Sequence, residues 1–154
     1  MPHMSKPELI NALATVLSDS VVLKYTFQGA HWNVTGQDFA QYHTFFGMLY
    51  EDVDGAIDVI AEDIRKLGAP APSNLSDFLR LTNIPEASTG ASVQELLKVC
   101  YESNEIIIVD INQAFALADA HNEQGIADDL AARDAMHKKW RWMMKASLDP
   151  KYGY

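Results

Sequence analysis

Apolar positions recur along this chain at intervals of three and four residues, the spacing of one helix face, and no stretch alternates with the two-residue period of a strand. Four long helices and one short one are predicted. Ser5, Pro7 and Glu8 mark the first start: Ser5 caps, Pro7 suits the first turn, and Glu8 completes a Ser-x-x-Glu box. Leu9, Leu13, Val16, Leu17 and Phe27 carry its apolar stripe to about Trp32, and Thr35-Gly36 breaks it. A second helix runs from near Gln37-Asp38 to Leu67, burying Phe39, Phe46, Leu49, Val53, Ile57, Ile60 and Ile64; Gly68, Pro70 and Pro72 then stop it. A connector rich in Pro, Ser, Thr and Gly holds a short helix around Leu75 to Leu81. Ser92-x-x-Glu95, a second capping box, opens the third long helix, which reaches about Asp119. The fourth covers about Ile126 to Ser147.

Helices of this length on short loops predict an all-α fold, an antiparallel four-helix bundle with an extra short helix between the second and third long ones. At 154 residues the chain makes one domain, 1–154, and 48% hydrophobic content supports a packed core. No apolar run approaches the roughly 18 residues that span a bilayer, and the start lacks a secretory pattern. The one cysteine, Cys100, lies in the apolar run "LLKVCY" and reads as a buried thiol, so a reducing cytoplasm is the expected compartment. A formal charge of −9 attracts cations and argues against a phosphate-binding surface.

The candidate chemistry begins at "HWNVTGQDFAQYH", where His31 and His43 stand twelve residues apart. Asp58 and Glu62 follow His43 by fifteen and nineteen positions. Bundles that bind two irons inside one chain use Glu-x-x-His on two helices. Here there is none, and Asp134-x-x-His137 is the nearest approach. At about 100° per residue, His43 lies about 60° from Asp58 around the second helix, and Asp58 about 40° from Glu62. Along the axis, however, His43 and Asp58 are about 22 Å apart, while metal–ligand bonds are about 2 Å long. One straight helix cannot bring both to one ion. Two copies packed antiparallel, with a two-fold axis near Tyr50 and Glu51, would set His43 of one opposite Asp58 of the other, twice per pair. Taken singly, each residue has a plainer role: an Asp-x-x-x-Glu pair is usually a solvated stripe, and a histidine beside tryptophan is usually packed.

Taken together, "HWNVTG", the histidine that follows, and the Asp-x-x-x-Glu pair before "LG" resemble the Dps family, the miniferritins named as DNA-binding proteins from starved cells. The resemblance covers nearly the whole chain, including the short helix after "PAPSNLSDFL" and Trp142 in "HKKWRWMMKASL". It implies a ferritin-like bundle and a hollow homo-oligomeric shell of twelve subunits built from two-fold dimers. It also implies oxidation of Fe(II), preferably by hydrogen peroxide rather than oxygen, with ferric oxide stored inside as protection against oxidative stress. By the same resemblance His31 and His43 are iron ligands from one subunit, Asp58 and Glu62 from its partner. Trp32 then either relays oxidising equivalents beside the site or is a core aromatic.

The chain departs from the family pattern four positions after the second histidine, where an acid is usual and Gly47 stands. In the antiparallel register position 47 faces Asp54 of the other copy, and Asp54 is the expected partial substitute. Glu123, Asp128 and Asp129 cluster near the start of the last helix, where similar proteins line a pore that admits iron; acids at a helix start are also favoured by its dipole. DNA binding is not expected, since "MPHMSK" and the C-terminal "DPKYGY" hold one lysine each. The alternative reading is a metal-sequestering or DNA-compacting shell with weak ferroxidase activity, and a third is a bundle whose histidines only pack.

Overall fold

A computed structural model of the chain describes residues 6–87 and 90–152. Five α-helices follow in order: α1 Pro7–Asn33, α2 Phe39–Lys66, α3 Leu75–Leu81, α4 Val93–Ala120 and α5 Gln124–Ser147, with a 3₁₀ turn at Pro150–Tyr152. The boundaries match the apolar spacing closely, and α3 matches its predicted range. The capping box proposed at Ser5 lies outside the described residues. The second one forms: Ser92 Oγ accepts from the Glu95 N–H at 3.2 Å. Gly36 and Gly68, which follow α1 and α2, have φ of +116° and +90°, a backbone region costly for any residue with a Cβ.

The topology follows from a few fixed points. Short turns make antiparallel hairpins of α1–α2 and α4–α5. Thr35, between α1 and α2, forms a parallel bridge with Ser92, its N–H donating to Ala91 O at 2.9 Å. The start of α4 therefore sits at the end of the bundle where α2 starts. The link from α2 to α4 must travel the bundle's length, and α3 lies within it, packed on α1. The result is a four-helix bundle with one long crossover.

Leu9, Leu13, Leu17, Phe27, Phe46, Leu49, Ile64, Leu97, Ile107 and Leu130 form the fully buried centre. Truncating Phe27 or Phe46 to Ala would cost about 3–5 kcal/mol in lost burial and cavity formation. Phe39, expected inside, is 43% exposed, because it opens α2 where the bundle ends. Cys100 is buried as expected, and burial pushes its thiol up. The crossover is pegged by Asp19 of α1, whose carboxylate accepts from Thr82 Oγ1 at 2.7 Å and the Asn83 N–H at 2.9 Å. Burial, and then the nearness of Asp110, push the Asp19 carboxyl up to about 8. No helix among the described residues is long and apolar enough to cross a membrane.

Candidate metal centre

The α1–α2 hairpin brings His31 and His43 face to face. Their rings stack with centroids 3.8 Å apart and planes 15° from parallel. His31 Nδ1 lies 2.5 Å from the His43 carbonyl oxygen, and His43 Nδ1 lies 2.7 Å from the His31 carbonyl oxygen. A carbonyl can only accept, so each Nδ1 must be the protonated nitrogen. In the neutral rings both Nε2 atoms consequently carry free lone pairs. Donation of Nδ1–H to a backbone carbonyl is how metal-ligating histidines are commonly oriented. His31 O belongs to the last turn of α1, whose carbonyls lack helical partners, so the same bond also satisfies a helix end.

Gly47 is what lets the His31 ring lie so close to the α2 backbone. A Cβ at that position would stand 3.0 Å from His31 Nδ1 and 3.1 Å from Cε1, tighter than ordinary packing. The His31 imidazole therefore crowds the space that a side chain at 47 would enter. Phe39 stacks on the outer side of His43 at 5.1 Å, and Tyr50, which the sequence reading used only to mark the axis, sits 5.4 Å from His31. Trp32 is 63% exposed on the isolated chain, so it is not a core aromatic of this bundle.

Asp54, Asp58 and Glu62 are all exposed on the outer side of α2. Among the described residues, no three of His, Cys, Asp and Glu come together in a group able to hold a metal ion. The chain thus brings the two imidazoles together and leaves the carboxylates further along the helix.

A second histidine environment lies inside the bundle. His137 of α5 is 1% exposed; its Nδ1 donates to Asn104 Oδ1 at 2.8 Å, and its Nε2 accepts from Arg133 at 3.1 Å. Arg133 also grips both oxygens of Asp52 at 3.2 and 2.9 Å, and Trp140 Nε1 donates to Asp52 at 2.8 Å. Burial alone would raise the Asp52 carboxyl, but the bonds from Arg133 and Trp140 hold it below the usual range. Burial, and then the Arg133 charge, drive His137 down to about 3. Every polar atom of that imidazole is committed. The network was missed from sequence; Asn104, whose neighbours at helical spacing are Cys100, Tyr101, Ile107 and Ile108, was its signal.

The acids near the start of α5 divide by role. Glu123 is ion-paired with Lys6. Asp129 faces buried Asp63; burial, and then that contact, push Asp63 up to about 6, with Lys66 at 3.3 Å opposing. Of the three, Asp128 alone is exposed, and Glu123 and Asp129 are half-buried. Of the two tryptophans in "HKKWRW", Trp140 is buried and Trp142 is 67% exposed.

Comparison with known proteins adds independent findings. The ferritin-like domain family matches residues 10–150. A DNA protection during starvation protein of Brevibacillus brevis is 31% identical, over 84% of this chain and 87% of that protein. The crystal structure of a Dps protein from Bacillus brevis superposes with a TM-score of 0.90 at 28% identity, covering 97% of this chain and all of that one. The Vibrio cholerae Dps structure, described as a member of a broad superfamily of ferritin-like diiron-carboxylate proteins, also gives 0.90, at 25% identity over 94% and 91% of the two chains.

Proposed function

The chain belongs to the Dps branch of the ferritin-like family, and from that premise we propose that it is a ferroxidase that oxidises Fe(II) at sites shared between two copies and stores the ferric product in a hollow shell. The observation that carries this reading is the reciprocal hold on His31 and His43, which leaves the Nε2 atom of each stacked ring without a hydrogen bond among the described residues. His137, which packs inside the bundle, has both ring nitrogens in hydrogen bonds.

On this reading His31 and His43 of one copy bind Fe(II) together with Asp58 and Glu62 of a second. Imidazole suits the ferrous ion, and carboxylate stabilises the harder ferric product. Hydrogen peroxide is the preferred oxidant: two Fe(II) each give up one electron, the O–O bond breaks, and two protons complete two waters. Gly47 removes a ligand that a second iron in the same site would use, and Asp54 of the second copy faces it in the antiparallel register as a partial replacement. Twelve copies, arranged as two-fold pairs, enclose the store. Asp128 is the acid left to line an iron-admitting pore, since Lys6 neutralises Glu123. Tyr50 beside His31 and Trp32, the next residue in the chain, supply oxidisable side chains near the site. The acidic charge of −9 argues against DNA as a partner.

Gly47 also favours a second reading, a shell that sequesters metal with weak oxidation. Anaerobic Fe(II) titration followed by a peroxide pulse separates the two, with wild type and His43→Ala compared. Fast oxidation lost in the variant supports the ferroxidase; equal, slow oxidation in both rejects it. Unchanged Fe(II) stoichiometry and affinity in Asp54→Ala would remove Asp54 from the ligand set.

A further inference from the structure

Asp19 of α1 and Asp110 of α4 are both buried, and neither is in an ion pair among the described residues. Asn83 of the crossover bridges them: its backbone N–H donates to Asp19 Oδ1 at 2.9 Å, and its side-chain Nδ2 donates to Asp110 Oδ2 at 2.9 Å. Thr82 Oγ1 also donates to Asp19 Oδ1, at 2.7 Å, and accepts from the Ile84 N–H at 3.0 Å. The turn 82–84 therefore hangs on two carboxyl groups. Since α3 has no buried residue, Ile84 and this peg are the crossover's buried attachments.

The donors do not reach every oxygen. Asp19 Oδ1 receives two and Asp110 Oδ2 receives one, whereas Asp19 Oδ2 is buried and receives none. Two buried carboxyl groups side by side, with no cation to balance them, cannot both ionise cheaply, and one proton between them resolves the conflict. A proton on Asp19 Oδ2, donated to Asp110, supplies the missing hydrogen bond and removes one of the two charges. Among the described residues, Asp110 is the charged group that acts on Asp19. Thr82 and Asn83 do not titrate, and α2, α3 and α5 bring no charge to it.

We propose that one proton shared between Asp19 and Asp110 latches the crossover to α1 and α4, and that its loss in alkali loosens the turn 82–84. The balance is a single proton. With the turn closed, Asp19 Oδ2–H donates to Asp110; with the turn open and hydrated, both carboxyls are ionised and the proton is in solution. The folded Asp19 carboxyl, raised to about 8, binds its proton more tightly than the open one does. Opening therefore becomes about tenfold easier per pH unit from the ordinary aspartate range up to that value, and changes little above it. The sign is opposite to that of His137, whose hold weakens in acid.

The test is amide hydrogen exchange on the full chain, read at Asn83 and Ile84 from about pH 6.5 to about pH 9, above the ordinary histidine range. Exchange is expressed as protection relative to an unstructured peptide of the same sequence. In wild type, protection is expected to fall about tenfold per pH unit up to about pH 8 and then level. Asp19→Asn places a permanent amide donor where the proton stands, and its protection is expected to stay level across the range. Asp110→Asn, whose amide can donate to the Asp19 carboxylate, is the second variant with the same expectation. Infrared spectra at neutral pH should show the carbonyl stretch of a protonated carboxyl in wild type and lose it in both variants. Level protection in wild type, or no protonated carboxyl that either substitution removes, overturns the latch. A fall in protection that persists unchanged in both variants assigns the titration to another group and overturns it equally.

Discussion

Two histidine environments in this molecule differ in what they leave free. Inside the bundle, His137 gives one nitrogen to Asn104 and receives Arg133 on the other, and Asp52 and Trp140 close the set. On the α1–α2 face, His31 and His43 each spend one nitrogen on the other's backbone and present the second. Burial alone does not distinguish a structural histidine from a ligand. The distinction is whether the hydrogen bonds consume both ring nitrogens or only the one that fixes orientation.

Removing Asp52 gives the largest expected effect on this contrast. Asp52→Ala leaves the Arg133 guanidinium without its carboxylate in a partly buried site and should cost roughly 3 kcal/mol, read from urea unfolding. Acidification comes next. His137 is neutral in the fold because its pKa is depressed from the ordinary histidine value to about 3. Its contribution is fully present above about pH 6.5 and is lost as pH falls toward 3, so stability should decline through that window. A His137→Leu variant, provided it folds, should show a shallower decline over the same range in thermal melts.

The outer pair should respond the other way round. His43→Ala removes one hydrogen bond on the surface side and should cost about 1 kcal/mol of stability, yet abolish rapid Fe(II) oxidation. A loss of several kcal/mol would instead mark His43 as structural. Gly47→Ala is the subtlest change. Replacing a mid-helix glycine gains about 0.5–1 kcal/mol, while the new methyl presses on the His31 ring and offsets that gain. Unfolding should hardly move, but Zn(II) affinity measured by calorimetry should fall.

The bundle was legible because its helices follow one amphipathic period and three of its breaks carry Gly or Pro, signals that depend on local sequence alone. Phe39 shows the limit: its spacing says inside, but it sits at the bundle's end where there is no inside left. His31, His43, Asp58 and Glu62 were legible as a set of ligand types, and helical geometry was enough to show that one chain could not gather them. The reciprocal carbonyl bonds were not, since they depend on how the two helices meet across the turn. Nor were the Asp19–Thr82 peg and the Asp52–Arg133 pair, which join residues 63 and 81 positions apart. Only the packed fold brings such partners together.

The separation of the imidazoles from Asp58 and Glu62 along α2 would also shape inheritance. On the proposed reading, a chain lacking both histidines and a chain lacking both carboxylates are each inactive alone. Placed in one pair, they make one site with all its ligands and one with none. Two defective alleles would therefore complement each other in a mixed population, restoring activity in the pairs that combine them.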